Sequence, residues 1–178
     1  MTEPSGFTLE PFTAEDLAAH LPALGAVLHA CVEDGASVGF VLPYGMDEAI
    51  GFFERKVLPG LAAGGLVMLV ARIGGRIVGT VQLDHDTMPN QRHRAEVRKL
   101  LVHPDARRKG VATALMRAIE ADARRLGRTL LTLDTRTGDG AEPLYLGLGY
   151  AIAGRIPDYC RDTVSERLDA TTLMYKRL

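Results

Sequence analysis

Val97-Arg98-Lys99-Leu100-Leu101-Val102-His103-Pro104, followed directly by Asp105-Ala106-Arg107-Arg108-Lys109-Gly110-Val111-Ala112-Thr113, is the stretch whose reading decides the fold. The first half is apolar and β-branched towards its end and is stopped by Pro104, which is the pattern of a strand. The second half is a basic turn that carries Gly110 and opens into a helix. Apolar residues then recur at Ala112, Leu115, Met116, Ile119, Ala123 and Leu126, at helical spacing. Gly127 stands where a left-handed C-terminal cap is expected.

A strand feeding a basic turn and a helix N-terminus has an electrostatic meaning. The first backbone N–H groups of a helix have no intrahelical acceptor, and the helix dipole puts positive potential beside them. Gly110 and Ala112 carry almost no side chain, so a ligand can approach the backbone closely, and Arg107, Arg108 and Lys109 add charge around the same mouth. These features describe a site for phosphate, and for a diphosphate in particular. An Arg-Arg-Lys run alone would equally describe a solvated turn; the helix-entry glycine and the apolar strand upstream favour the ligand. Lys109 precedes Gly110, the reverse of the P-loop order, and no Gly-x-Gly-x-x-Gly occurs here, so those two nucleotide-binding classes drop out.

Arg107-x-x-Gly110-x-Ala112 resembles the Arg/Gln-x-x-Gly-x-Gly/Ala motif of the GNAT superfamily of acetyl-CoA-dependent N-acetyltransferases. The resemblance runs from about Glu96 to Tyr159. It includes Ala141-Glu142-Pro143-Leu144-Tyr145-Leu146-Gly147-Leu148-Gly149-Tyr150, which is similar to the family's Ala-x-x-Leu-Tyr…Leu-Gly-Phe segment. Ile156-Pro157-Asp158-Tyr159-Cys160-Arg161-Asp162 is most similar to a branch that includes tabtoxin-resistance acetyltransferases. The resemblance implies acetyl-CoA as co-substrate, its diphosphate held by Arg107, Arg108, Lys109, Gly110, Val111, Ala112 and Thr113. It also implies that backbone N–H groups around Leu101 and Val102 meet the acetyl carbonyl and the pantetheine arm where this strand splays from its neighbour.

Amide formation from a thioester sets chemical demands that the candidates must meet. A lysine-like ammonium, with a pKa of ~10, must lose a proton before it attacks, and a thiolate whose thiol has a pKa of ~8.5 must gain one as it leaves. The developing oxyanion needs preorganised donors. Tyr145 matches the family's general-acid tyrosine by motif, and a phenol stays protonated at neutral pH. For the base, Glu96 and Asp134 both fall on strands expected to be central, and the residues leave the choice between them open. His85 and His93 are weaker candidates in a polar loop. Many family members carry Asn seven residues before the tyrosine, where this chain has Gly138; Asp134 or Thr135 is the expected substitute for its cofactor contact. On the acceptor side the resemblance points to Phe40, Tyr44 and, in a loop over Pro157-Asp158-Tyr159, Tyr159.

The rest of the chain supports this core. Phe7–Glu10 alternates like a strand, and Thr13-Ala14-Glu15-Asp16 has the form of a capping box. An apolar stripe from Leu17 to Cys31 is interrupted by Pro22, predicting a kink or two abutting helices ended by Gly35. A second helix starts near Asp47 and meets Pro59, which is expected to break or bend it. Leu66–Ile73 and Arg76–Leu83 flank Gly74-Gly75 as a hairpin with a primed turn. Leu130–Asp134, Tyr150–Arg155 and Thr171–Lys176 complete the strands, with a short helix over Glu142–Leu148. This order predicts an α/β (α+β) GNAT-like fold: one mixed, mostly antiparallel sheet of about seven strands flanked by about four helices.

The 178 residues, 47% hydrophobic and 24% charged, suit one domain over residues 1–178. A formal net charge of −1 gives no global basic field, which argues against a nucleic-acid partner. Cys31 and Cys160 lack metal-ligand spacing and form no disulfide framework, so no metal is expected. The N-terminus has no signal-peptide pattern and no apolar run reaches the ~20 residues of a membrane span, so the expectation is a cytoplasmic protein without a membrane partner. The expected partner is a small-molecule amine, toxin- or antibiotic-like if the branch resemblance holds, with room left for a homodimer. Acetylation of a peptide or protein amine, and a non-catalytic acetyl-CoA-binding sensor, are the competing readings.

Overall fold

The structure is a computed structural model that describes residues 6–178; the N-terminal sequence pattern bearing on a signal segment includes residues 1–5, which lie outside it. Seven strands form one sheet in the order β1-β2-β3-β4-β5-β7-β6. They are β1 (Thr8–Phe12), β2 (Leu66–Ile73), β3 (Arg76–Asp84), β4 (Arg94–Val102), β5 (Leu130–Arg136), β6 (Ala151–Arg161) and β7 (Leu168–Arg177). Every neighbouring pair is antiparallel except β4 and β5. The helical segments are α1 (Ala14–Ala19), α2 (Leu21–Glu33), α3 (Met46–Phe52), α4 (Leu58–Ala62), α5 (Val111–Arg125) and α6 (Ala141–Gly147). Since α1 abuts α2, and α3 passes into α4 through one wide turn, they amount to the four expected helical units.

Local chemistry explains most of these elements. Thr13 caps α1 reciprocally with Asp16, whose carboxylate accepts from the Thr13 backbone at 2.9 Å. Pro22 falls in the first turn of α2, where its missing N–H costs nothing, so the stripe divides into two helices at His20. Gly74 and Gly75, at φ +55° and +81°, make the turn that links β2 to β3. Pro59 does not end its helix. A π-helical turn over Phe53–Val57 precedes it, widening the spiral where the ring would otherwise press on the carbonyl four residues back.

Each face of the sheet carries its own core. Leu69 and Ala71 of β2, with Val81, Leu83 and Val97, pack under Leu115, Met116 and Ile119 of α5. Met68 and Val70 point the other way, onto Leu17 of α1, Leu24 and Leu28 of α2, and Phe53 of the π-helical turn. Two-residue alternation within β2 is thus enough to separate the layers. At the closest approach of α5 to the sheet stands Gly79, where an added Cβ would lie 2.9 Å from the Leu101 carbonyl and 3.2 Å from Leu115 Cδ1. Gly79→Ala is therefore expected to cost about 1–3 kcal/mol by overpacking, read as a lower denaturant midpoint with an unchanged m-value.

Two strands depart from regularity. In β4, Val97 faces the α5 core while Leu101 faces the other one, although residues four apart on a regular strand share a face. The register with β3 shifts between Thr80 and Gln82, and Lys99 sits at φ +52°, so an extra residue here reverses the alternation. In β6, Pro157-Asp158-Tyr159 is not the expected loop but part of the strand. The pairing with β7 skips from Ile156 to Cys160 and Asp158 takes φ +50°. Because β6 is the sheet edge, a bulge there tolerates a residue with no N–H.

Candidate active site

Parallel pairing of β4 with β5 covers only Arg94–Glu96 against Leu130–Thr132, yet β4 runs on to Val102 and β5 to Arg136. The two strands diverge beyond that point, leaving the β5-facing edge of β4 from Val97 onwards with no strand opposite. A cavity of about 820 Å³ fills the opening and reaches the start of α5. Leu101, Val102, Arg107, Arg108, Gly110, Val111, Ala112 and Thr113 all line it. Lys109 is absent from this wall and instead donates to the Asp105 carbonyl at 3.1 Å.

The mouth at α5 presents free backbone donors. The first helical bond outside the cap runs from Ala114 N to the Gly110 carbonyl at 3.0 Å, which leaves the N–H groups of Val111, Ala112 and Thr113 ahead of it without helical acceptors. Gly110 reaches φ +79°, and Arg108, although not glycine, reaches φ +62°. This reversal of the chain turns consecutive amide groups towards one point. Arg107, on the same wall, also has protein partners. It donates to the Val102 carbonyl at 3.3 Å and is ion-paired with Asp34, so it ties the end of β4 to the end of α2.

Tyr145 and Asp134 line the same cavity from α6 and β5. Tyr145 is only 7% exposed and packs edge-on against Tyr150 at 5.9 Å. Burial, helped by the carboxylates of Asp139 and Asp134, holds its phenol well above the usual range, so it is protonated at neutral pH. Asp134 accepts a hydrogen bond from Thr171 Oγ1 at 3.0 Å. Glu96 lies elsewhere: it lines a second, smaller cavity with Asp84, Asp86, Thr87 and Arg94. Arg98, two residues further along β4, pairs with Asp84 at 2.7 Å. Of the two histidines, His93 is exposed, whereas His85 is half-buried beside Arg128, 3.4 Å from its Nδ1.

The acceptor-side residues divide. Tyr159, 51% exposed, lines the main cavity, as does Cys160. Phe40 and Tyr44 are not on its wall; they stack on one another at 4.6 Å, with Tyr44 buried in the helical core and its phenol pushed up to about 12 by burial. Their neighbours Val38 and Gly39 do line the cavity.

Gly138 has work of its own. At φ +77° its N–H donates to Glu142 Oε2 at 3.1 Å, and Glu142 also takes Arg155 at 2.9 Å and Thr172 at 3.2 Å. That cluster joins α6, which carries Tyr145, to β6 and β7. The Gly138 N–H, above all, holds the Glu142 carboxyl below its usual range. Sequence reasoning gave Glu142 no role; an acid in the first turn of a short helix is its only signal. Lys99 was likewise passed over, and it lines the cavity beside the divergence. Among the described residues no cluster of His, Cys, Asp or Glu could hold a metal, and no helix is long and apolar enough to cross a membrane.

Comparison with known proteins bears on this geometry. A sequence model described as the acetyltransferase (GNAT) family matches residues 43–150. Mycothiol acetyltransferase of Parafrankia sp. is 43% identical over 63 residues, covering 35% of this chain and 18% of that protein. N-acetyltransferase 8B of Rattus norvegicus is 38% identical over 88 residues, covering 48% of this chain and 40% of that protein. The chain thus spans less than half the length of these curated relatives. Among solved structures, a GCN5-related N-acetyltransferase from Kribbella flavida superposes with a TM-score of 0.78 at 18% identity, covering 99% of this chain and 100% of that one. The ribosomal-protein-alanine N-acetyltransferase of Brucella melitensis gives 0.76 at 21% identity over 96% and 99%. The protein yncA of Salmonella typhimurium, solved with its cofactor acetyl-CoA, gives 0.75 at 19% identity over 97% and 94%.

Proposed function

Because the chain belongs to the acetyltransferase (GNAT) family, we propose that it transfers the acetyl group of acetyl-CoA to the amine of a small molecule. The observation that carries this reading is one cavity shared by the unpaired N–H groups of α5, the open edge of β4, Asp134 and Tyr145. The donor set suits the co-substrate: amide groups and Arg108 for a diphosphate at one end, and a bare strand edge for an amide-bearing arm further in. The acetyl-CoA bound to the fold relative yncA supports the same choice.

Acetyl-CoA, when bound, supplies an acetyl group activated as a thioester. The turn at Arg108–Gly110 and the first turn of α5 hold the diphosphate, while backbone N–H groups on the open edge of β4 face the acetyl oxygen and stabilise the charge it gains. Asp134 accepts the proton that the acceptor amine must lose, directly or through one water. Tyr145 keeps its proton until the sulfur departs and then donates it. Glu96, in the other cavity, takes no part in this scheme. The Ala36–Gly39 segment, which lines the cavity, narrows the room for an acceptor and so supports a small one over a protein terminus, the class named for the Brucella relative. Similarity of Ile156–Asp162 to the tabtoxin-resistance branch supports a toxin- or antibiotic-like amine. Two free thiols, Cys31 and Cys160, suit a reducing, cytoplasmic setting.

The test is calorimetry with acetyl-CoA, followed by coenzyme A release across a panel of amines. Binding without release for any amine would favour a non-catalytic sensor, and no binding at millimolar ligand would end the proposal. Arg108→Ala is expected to raise the acetyl-CoA KM roughly tenfold, since it removes one charge-assisted contact, with little change in kcat at saturation.

A further inference from the structure

The charges on the cavity wall are unevenly matched. Arg98 is paired with Asp84, Arg107 with Asp34, and Arg136 with Asp139 at 3.3 Å and Asp162 at 3.2 Å. Arg108 belongs to the turn that faces the diphosphate. Lys99 remains, and among the described residues it makes no ion pair. Its Nζ donates to the Val38 carbonyl at 2.5 Å and lies over the rings of Phe40 at 5.4 Å and Phe52 at 5.3 Å. An ammonium has three N–H donors, so one protein acceptor leaves two to be satisfied. Ring faces and a single carbonyl compensate a half-buried cation only in part.

The approach to this group is open. Gly39, at φ +93°, lines the cavity, and a Cβ added there would lie 3.4 Å from Lys99 Nζ while meeting nothing else within 4 Å. No side chain therefore screens the ammonium at that point. The bulge in β4 is what turns Lys99 this way, against the alternation of its strand. Burial, with Arg98 as a second cause, pushes the Lys99 pKa down against the pull of Asp134, the mark of a cation short of counter-charge. On β5, Asp134 is unmatched in the opposite sense. It is exposed, accepts from a threonine hydroxyl and, among the described residues, forms no ion pair, although it acts on Lys99 through space.

The geometry points to an acceptor that carries a carboxylate as well as its amine, with Lys99 Nζ taking the carboxylate and Asp134 the ammonium. The acceptor is thus an amino-acid-like zwitterion, fixed at both ends before its proton is removed. This deepens the acetyltransfer reading and rests on it for the fate of the amine, but its test does not need turnover.

Protein loaded with coenzyme A is titrated calorimetrically with the common amino acids, each as free acid and as carboxamide. At least one acid is expected to bind tenfold or more tightly than its amide, with a preference that weakens at high salt. In Lys99→Met, which keeps the length of the stem and removes the charge, the ratio should fall towards one while the affinity of the amide is kept. Should that variant not fold, the acid-to-amide ratio of the wild-type protein and its salt dependence decide alone. Equal binding of acids and amides, binding of no acid, or a preference that survives Lys99→Met would each overturn the inference. A Lys99 that merely tethers Val38 would affect both ligand forms equally, which is also an overturning result. Acids that bind with the predicted ratio but release no coenzyme A would leave the carboxylate site standing and sink the acetyltransfer reading instead.

Discussion

Tyr145→Phe is expected to lower kcat by roughly 10²–10⁴ while leaving the acetyl-CoA KM within a few-fold of wild type. The ring stays, so the contact with Tyr150 and the packing of α6 are kept, and only the hydroxyl is lost. The Tyr145 hydroxyl makes no hydrogen bond to another described residue, and the Leu148 and Tyr150 N–H groups that donate to its backbone carbonyl keep that acceptor, so the substitution strands no partner and stability should hardly change. The effect therefore falls on proton delivery to the departing sulfur. Burial and two nearby carboxylates raise the phenol, which fixes the sign of a pH test: the wild-type rate should show no alkaline fall attributable to an ordinary phenol near pH ~10. A Tyr145→Phe enzyme with undiminished single-turnover rate would remove the role.

Asp134→Asn is expected to have a comparable effect, about 10²–10⁴ in kcat/KM near neutral pH, because the amide cannot accept a proton. The loss should shrink as pH rises. An amine with a pKa of ~10 supplies about tenfold more free base for each unit of pH below that value, and the variant depends on this fraction alone. Variant and wild-type profiles should then converge in alkali. Glu96→Gln serves as the comparison and should stay within about twofold, since its side chain lines the other cavity. A steep loss in Glu96→Gln with a normal Asp134→Asn would reverse the assignment made under the proposed mechanism.

Local chemistry made much of this architecture readable in advance. The Thr13 cap, the Gly74-Gly75 turn, the alternation of β2 and the periodicity of α5 each operate within a dozen residues, so the chain states them directly. The turn at Arg108–Gly110 and the start of α5 were legible for the same reason: their parts are consecutive. What escaped depends on distant partners. Val97 to Val102 reads as an unbroken strand, and nothing in it announces that Lys99 adopts φ +52° and reverses the faces. That bulge arises from pairing with β3. Choosing between Glu96 and Asp134 required knowing where β4 and β5 part, which is a matter of register between strands some thirty residues apart in the chain. The π-helical turn ahead of Pro59 and the Gly138–Glu142 contact are likewise settled by surroundings, not by composition.

The short parallel contact between β4 and β5 has a mechanical consequence. The sheet divides into two leaves, β1 to β4 and β5 to β7, stitched along a seam three residues deep, with an open wedge beyond it. Under the proposed function, acetyl-CoA would act as the missing rungs of a ladder, contacting α5 and β4 on one leaf and β5 on the other. Saturating co-substrate should slow amide exchange along both inner margins together, and the melting temperature should climb with the logarithm of its concentration.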